Sequence, residues 1–120
     1  MIIHTTAGQD KVLGFKISGK LTAQDYETVL MPAIDERVKR DGTVNVLIEW
    51  DDSFTGMEAK AMFDDAKLGF AHWNHFHRLA LIGAPHWLDG FAKLFDLVSK
   101  GKVKTFEANE FVDALKWARG

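Results

Sequence analysis

The chain has no cysteine among its 120 residues. That absence excludes a disulfide framework, thiolate metal sites and a cysteine nucleophile, and it fits a reducing cytoplasm, the expected location. An excess of either charge is missing too. Fifteen Lys and Arg stand against 17 Asp and Glu, a formal net charge of −2 that gives no electrostatic footprint for a nucleic-acid partner. No apolar run approaches the ~18 residues of a spanning helix. Met1-Ile2-Ile3-His4-Thr5-Thr6 lacks the basic start and long apolar stretch of a signal peptide. Repeats, low-complexity tracts and linkers are absent, so residues 1–120 read as one domain. No nucleotide-binding glycine loop or nucleophile–base pairing occurs, so neither an enzyme nor a cofactor is expected.

What is present is the composition of a soluble globular protein, 47% hydrophobic and 27% charged. The densest signal runs from Val44 to Ala59. Val44, Val46, Leu47 and Ile48 read as a buried strand, and Trp50-Asp51-Asp52-Ser53-Phe54 is too polar at its centre to continue it. Thr55-Gly56-Met57-Glu58 then has the spacing of a capping box, which predicts that Thr55 caps a helix over roughly Met57 to Ala71. Strand, acidic loop and helix start follow one another. In open α/β sheets the crevice beyond such a strand end is where ligands and switches sit.

The remaining elements follow from periodicity and punctuation. Ile2-Ile3 and Val12–Ile17 are two strands about the Ala7-Gly8-Gln9-Asp10 turn, hence antiparallel neighbours. Thr22 with Asp25 predicts the start of a long helix with Ala23, Tyr26, Leu30, Ala33 and Ile34 inward, a kink or break at Pro32, and a stop at Asp41-Gly42. Arg78–Gly83 is a further buried strand. Pro85 suits the first turn of a helix, His86 to Val98, that gathers Trp87, Leu88, Phe91, Leu94, Phe95 and Val98 on one face. A strand at Val103–Phe106 and a helix at Glu110–Trp117 with Phe111 and Leu115 inward complete the order β-β-α-β-α-β-α-β-α. Strands alternating with helices pair in parallel. The expected fold is α/β: a mixed, mainly parallel sheet of about five strands, an antiparallel N-terminal hairpin, and helices packed on the sheet.

Several side chains carry chemistry worth weighing. Ser53 and Thr55 are hydroxyls where a helix N-terminus would favour a phosphate, yet Asp51, Asp52 and Glu58 would repel one, and a plain cap accounts for Thr55. The same three carboxylates read as loop solubility and dipole complement, not as an acid–base pair. His72, His75, His77 and His86 lack the i, i+4 helical spacing of a metal motif, and no metal site is expected. Met57, Ala61 and Leu68 form a second apolar stripe on the helix after the loop, which predicts self-association as a homodimer through that face.

The strand–helix order, the proline in the first long helix, the D-x-F-x-G turn at Asp52, Phe54 and Gly56, and the terminal Ala114-Leu115-Lys116-Trp117 together resemble the SpoIIAA-like family of small STAS-type domains. That family is also likened to the CRAL-TRIO lipid-binding fold. In anti-sigma-factor antagonists the turn reads Asp-Ser-Ser-Gly and the serine before the glycine is phosphorylated; here Thr55 stands before Gly56, with Phe54 preceding it, a degraded form of that switch. The resemblance implies a non-catalytic binding domain for a small apolar or lipid-like ligand, at a membrane surface or in solution, with Trp87, Phe91 and Phe95 bordering the cavity. The alternative is a regulatory protein-interaction module of the anti-sigma-factor-antagonist kind, switched at Thr55 or Ser53.

Overall fold

The computed structural model describes residues 1–5, 11–58, 60–61, 74–86 and 101–120. In chain order these give β1 (Ile2–Thr5), β2 (Leu13–Ile17), β3 (Lys20–Leu21), α1 (Ala23–Asp25), a π-helical turn (Tyr26–Leu30), α2 (Met31–Asp41), β4 (Val44–Trp50), β5 (Gly56–Met57), β6 (Phe76–Ile82), β7 (Lys102–Phe106) and α3 (Phe111–Ala118). Among the described residues, five strands form one mixed sheet in the order β1-β2-β4-β6-β7, with β3 and β5 as a separate parallel pair. β1 runs antiparallel to β2, and every other pairing in the large sheet is parallel, as expected.

The alternation along β4 sorts its side chains to two faces. Val44 and Val46 join Ile2, Leu13, Phe15, Ile17, Tyr26, Leu30, Ile34 and Phe76 in one buried cluster. Leu47 points the other way, into a cluster with Ala80, Ile82, Phe106, Ala114 and Ala118. One face of the sheet therefore packs on the segment Ala23–Asp41 and the other on α3. The face of α3 is set by small residues: Ala114 and Ala118 are fully buried, while Phe111, Leu115 and Trp117 flank them. Burying both sheet faces explains why β4 is an almost continuous apolar run.

The start of the first helix is the predicted one. The Asp25 amide donates to the Thr22 hydroxyl at 3.2 Å, and the Thr22 amide and hydroxyl each donate to the Asp25 carboxylate at 2.9 Å. Burial works to raise the Asp25 pKa, but these donors and the Met1 ammonium outweigh it and hold the carboxyl below its ordinary range. The irregularity expected at Pro32 takes the form of a π-helical turn ahead of it, without a break. Pro32 has no amide for the Thr28 carbonyl, and the chain widens by one residue ahead of it: the Met31 amide donates to Tyr26, five residues back, while Leu30 and Met31 keep right-handed helical angles. The helix continues to Asp41 and closes at Gly42, whose amide donates to the Val38 carbonyl at 2.8 Å.

At the other side of the sheet Gly101 leads into β7. A methyl group built there would collide with the Phe76 carbonyl oxygen, so only glycine fits. Arg78 fastens α3 to β6: its guanidinium donates to the Trp117 carbonyl at 2.9 Å and lies 5.1 Å from the centre of the Trp117 ring. Among the described residues no helix is long and apolar enough to cross a membrane.

Candidate functional site

The loop leaving β4 is built by the backbone of another segment. The Asp51 amide donates to Ile17 at 2.8 Å, the Thr55 amide to Gly19 at 2.8 Å and the Glu58 amide to Leu21 at 2.9 Å. These bonds carry the chain across the end of β2 and pair Gly56-Met57 in parallel with Lys20-Leu21. Within the loop, the Ser53 amide donates to Asp51 Oδ1 at 2.9 Å and the Phe54 amide to the Asp51 carbonyl at 3.0 Å, a tight turn started by aspartate. The Gly19 amide in turn donates to Ser53 Oγ at 3.2 Å. Gly56 has φ of +141°, a conformation that L side chains rarely adopt, which accounts for the glycine of the D-x-F-x-G turn.

This geometry replaces the predicted capping box. The amides of Thr55 and Glu58, which a box would engage with side chains, are both used by carbonyls of the β2–β3 region. The Glu58 carboxylate instead accepts from the Ala23 amide at 2.9 Å, capping the start of α1 from 35 residues away. Met57 is accordingly in a strand, and the first helical residues after it among those described are Lys60 and Ala61. Thr55 is not the cap of that helix.

The electrostatics of the loop follow from the same contacts. Asp51 is held below the ordinary carboxylate range by the Ser53 amide and hydroxyl, helped by the Lys16 ammonium 3.6 Å away. Asp52, Ser53 and Thr55 are exposed, whereas Phe54 and Met57 turn in to pack against the cluster under α1 and α2. Two hydroxyls thus stand on a surface whose backbone is tied down.

The predicted self-association stripe is corrected at two of its members. Ala61 is fully buried within the first cluster and Met57 is half-buried against it, because the chain after the loop faces Ala23–Asp41. Leu68 lies outside the described residues, as do Trp87, Phe91 and Phe95, the side chains expected to border an apolar cavity. His72 lies outside them too. His77 pairs with Asn45 at 3.0 Å, and among the described residues no three His, Asp or Glu side chains gather as metal ligands. What sequence reasoning missed is the partner segment, Lys16 to Ala23. Ser18-Gly19 marked only the end of a strand, and its polar residues gave no sign of a loop 34 residues later.

A mixed sheet with an antiparallel first strand, helices on both faces and an exposed hydroxyl loop after its central strand defines a small STAS-type α/β domain. The chain belongs to the SpoIIAA-like family, whose profile matches residues 12–119. Among solved structures it is similar to a protein of the DUF3478 family with a SpoIIAA-like fold from Shewanella loihica PV-4. The two are 30% identical over 98% of this chain and 92% of that one, with a TM-score of 0.71. No curated protein matches the chain.

Proposed function

We propose that this chain is a non-catalytic interaction module that presents the Asp51–Gly56 loop to a protein partner, with Thr55 as the residue that modulates the contact. The observation that carries this reading is the combination of exposed Ser53 and Thr55 side chains with loop amides already bonded to Ile17 and Gly19. A surface ordered before binding loses little conformational entropy when a partner docks. Thr55 immediately precedes Gly56, where the related antagonists carry their phosphorylated serine, and a phosphate there adds a charge of about −1.5 to −2. Ser53 is less suited, because its oxygen already accepts from the Gly19 amide. Asp51 and Asp52 beside it make an added phosphate a repulsive signal, one that releases a partner.

The apolar-ligand reading ranks second, since Trp87, Phe91 and Phe95 lie outside the described residues and add no observation to it. The test is proximity labelling in the source cell with wild type, Thr55→Ala and Thr55→Glu chains. A partner held by wild type and Thr55→Ala but lost by Thr55→Glu supports the module. An identical partner set for all three, with a fluorescent fatty acid taken up by the purified protein, transfers the assignment to ligand binding.

A further inference from the structure

A second polar surface lies at the opposite end of β4 from the loop. Val44 begins that strand and Trp50 ends it, so its seven residues separate the two surfaces by roughly 20 Å at ~3.3 Å per residue. At the Val44 end there is a cleft of about 260 Å³ lined by Lys11, Arg37, Asp41, Thr43, Asn45 and Arg119. These come from four parts of the chain. Lys11 precedes β2, Arg37 and Asp41 lie in the last turns of α2, Thr43 immediately precedes β4 and Asn45 is its second residue, and Arg119 caps the end of α3.

The charge balance of this cleft is unlike that of the whole chain. Three cations line it against one carboxylate, in a protein whose formal net charge is −2. That carboxylate is already engaged: both Asp41 oxygens accept from Arg40 at 3.0 Å, while Arg37 Nε is 4.0 Å away. Among the described residues no ion pair neutralises Lys11 or Arg119. Cations at the ends of α2 and α3 also complement the helix dipoles, each equivalent to about −0.5 charge. Thr43 and Asn45 add a hydroxyl and an amide able to donate, and the Asn45 side chain is oriented by its 3.0 Å contact with His77 Nδ1. Arginine, lysine, hydroxyl and amide donors converging on a small cleft are the donor set that oxyanions require.

We propose that this cleft binds a phosphate group carried on a small molecule. Its volume falls just under the ~300–1,000 Å³ of ordinary small-molecule sites, which suits a headgroup or a phosphorylated metabolite rather than a polymer. The site is independent of the Asp51–Gly56 loop, and neither assignment depends on the other.

Inorganic phosphate is the probe. Amide chemical shifts of Thr43–Asn45 are followed during titration with phosphate, with acetate, and with chloride at matched ionic strength. Saturable shifts with phosphate alone are expected, weakened about tenfold to a hundredfold in Lys11→Gln and in Arg119→Gln, as for loss of one charge-assisted hydrogen bond. Lys11 is exposed, so its replacement leaves folding intact even where that of Arg119 does not. Equal shifts with chloride, tighter binding of acetate, or phosphate affinity unchanged in Lys11→Gln each overturn the proposal. Vesicles containing phosphatidic acid then separate the sources. Lysine-dependent co-sedimentation assigns a phospholipid headgroup, and its absence beside intact phosphate binding assigns a soluble phosphate ester.

Discussion

The two ends of β4 solve the same problem by opposite means. At the Trp50 end the chain must turn, and the turn is held by main-chain bonds to the β2–β3 region, leaving hydroxyls and acidic groups outward. At the Val44 end the main chain is already satisfied by the sheet, with the Val44 amide on the His75 carbonyl at 2.9 Å, and side chains do the rest. The first arrangement is a shaped backbone with a changeable surface. The second is a charged recess formed by side chains beside the start of β4. A domain with a cationic recess at one end of a strand and an acidic, backbone-bonded loop at the other can meet partners of opposite charge without competition between them.

The largest effect that tests this contrast is at the Val44 end. Gly101 approaches the Phe76 and His77 carbonyls, and backbone cannot step aside as a side chain would. Gly101→Ala is expected to cost about 3 kcal/mol in urea unfolding, the upper end for overpacking. A cost below ~0.5 kcal/mol, the scatter of ordinary surface changes, would show that this end of the sheet yields.

The next test separates two threonines that look alike. Thr22 closes a box with Asp25, so Thr22→Ala should lose about 1 kcal/mol, the usual value of a cap. Thr55 caps nothing, and Thr55→Ala should stay within ~0.5 kcal/mol of wild type. Equal losses in parallel denaturant melts would mean that Thr55 does carry a helix start and that the loop is built otherwise.

The smallest effect is in pH dependence. Asp51 is held below its ordinary pKa, chiefly by Ser53. A carboxyl depressed in the folded state binds fewer protons there than in the unfolded chain. Its contribution is therefore whole above the unfolded value of 3.8 and is lost as pH falls below that towards the folded value. Asp51→Asn should flatten the acid limb of the stability profile in that range and leave neutral pH nearly unchanged. An unaltered acid limb would place the acid sensitivity on Asp25 and Asp41, whose carboxyls are held low as well.

How far the sequence went depends on the range of the interaction concerned. The alternation of Val44, Val46 and Leu47, the Thr22–Asp25 start and the Asp41-Gly42 stop were legible because each rests on residues within a turn of one another. The mixed, mainly parallel sheet followed from strands alternating with helices after an opening hairpin, while the order of its strands was decided only when they packed. The Thr55–Glu58 box had the same credentials as the Thr22 box and did not form. A four-residue motif says that backbone donors need partners, and only the fold says which acceptors are nearest. Here Gly19 and Leu21 reached the Thr55 and Glu58 amides first, which freed the Glu58 carboxylate to cap α1 at Ala23. The burial of Ala61, the widened turn ahead of Pro32 and the meeting of Lys11, Arg37 and Arg119 are of the same kind. Local periodicity and capping chemistry marked the strands of the large sheet and the helices at Ala23–Asp41 and Phe111–Ala118; the competition among distant donors, acceptors and charges, decided only when the elements packed, settled the β3–β5 pair and the surfaces.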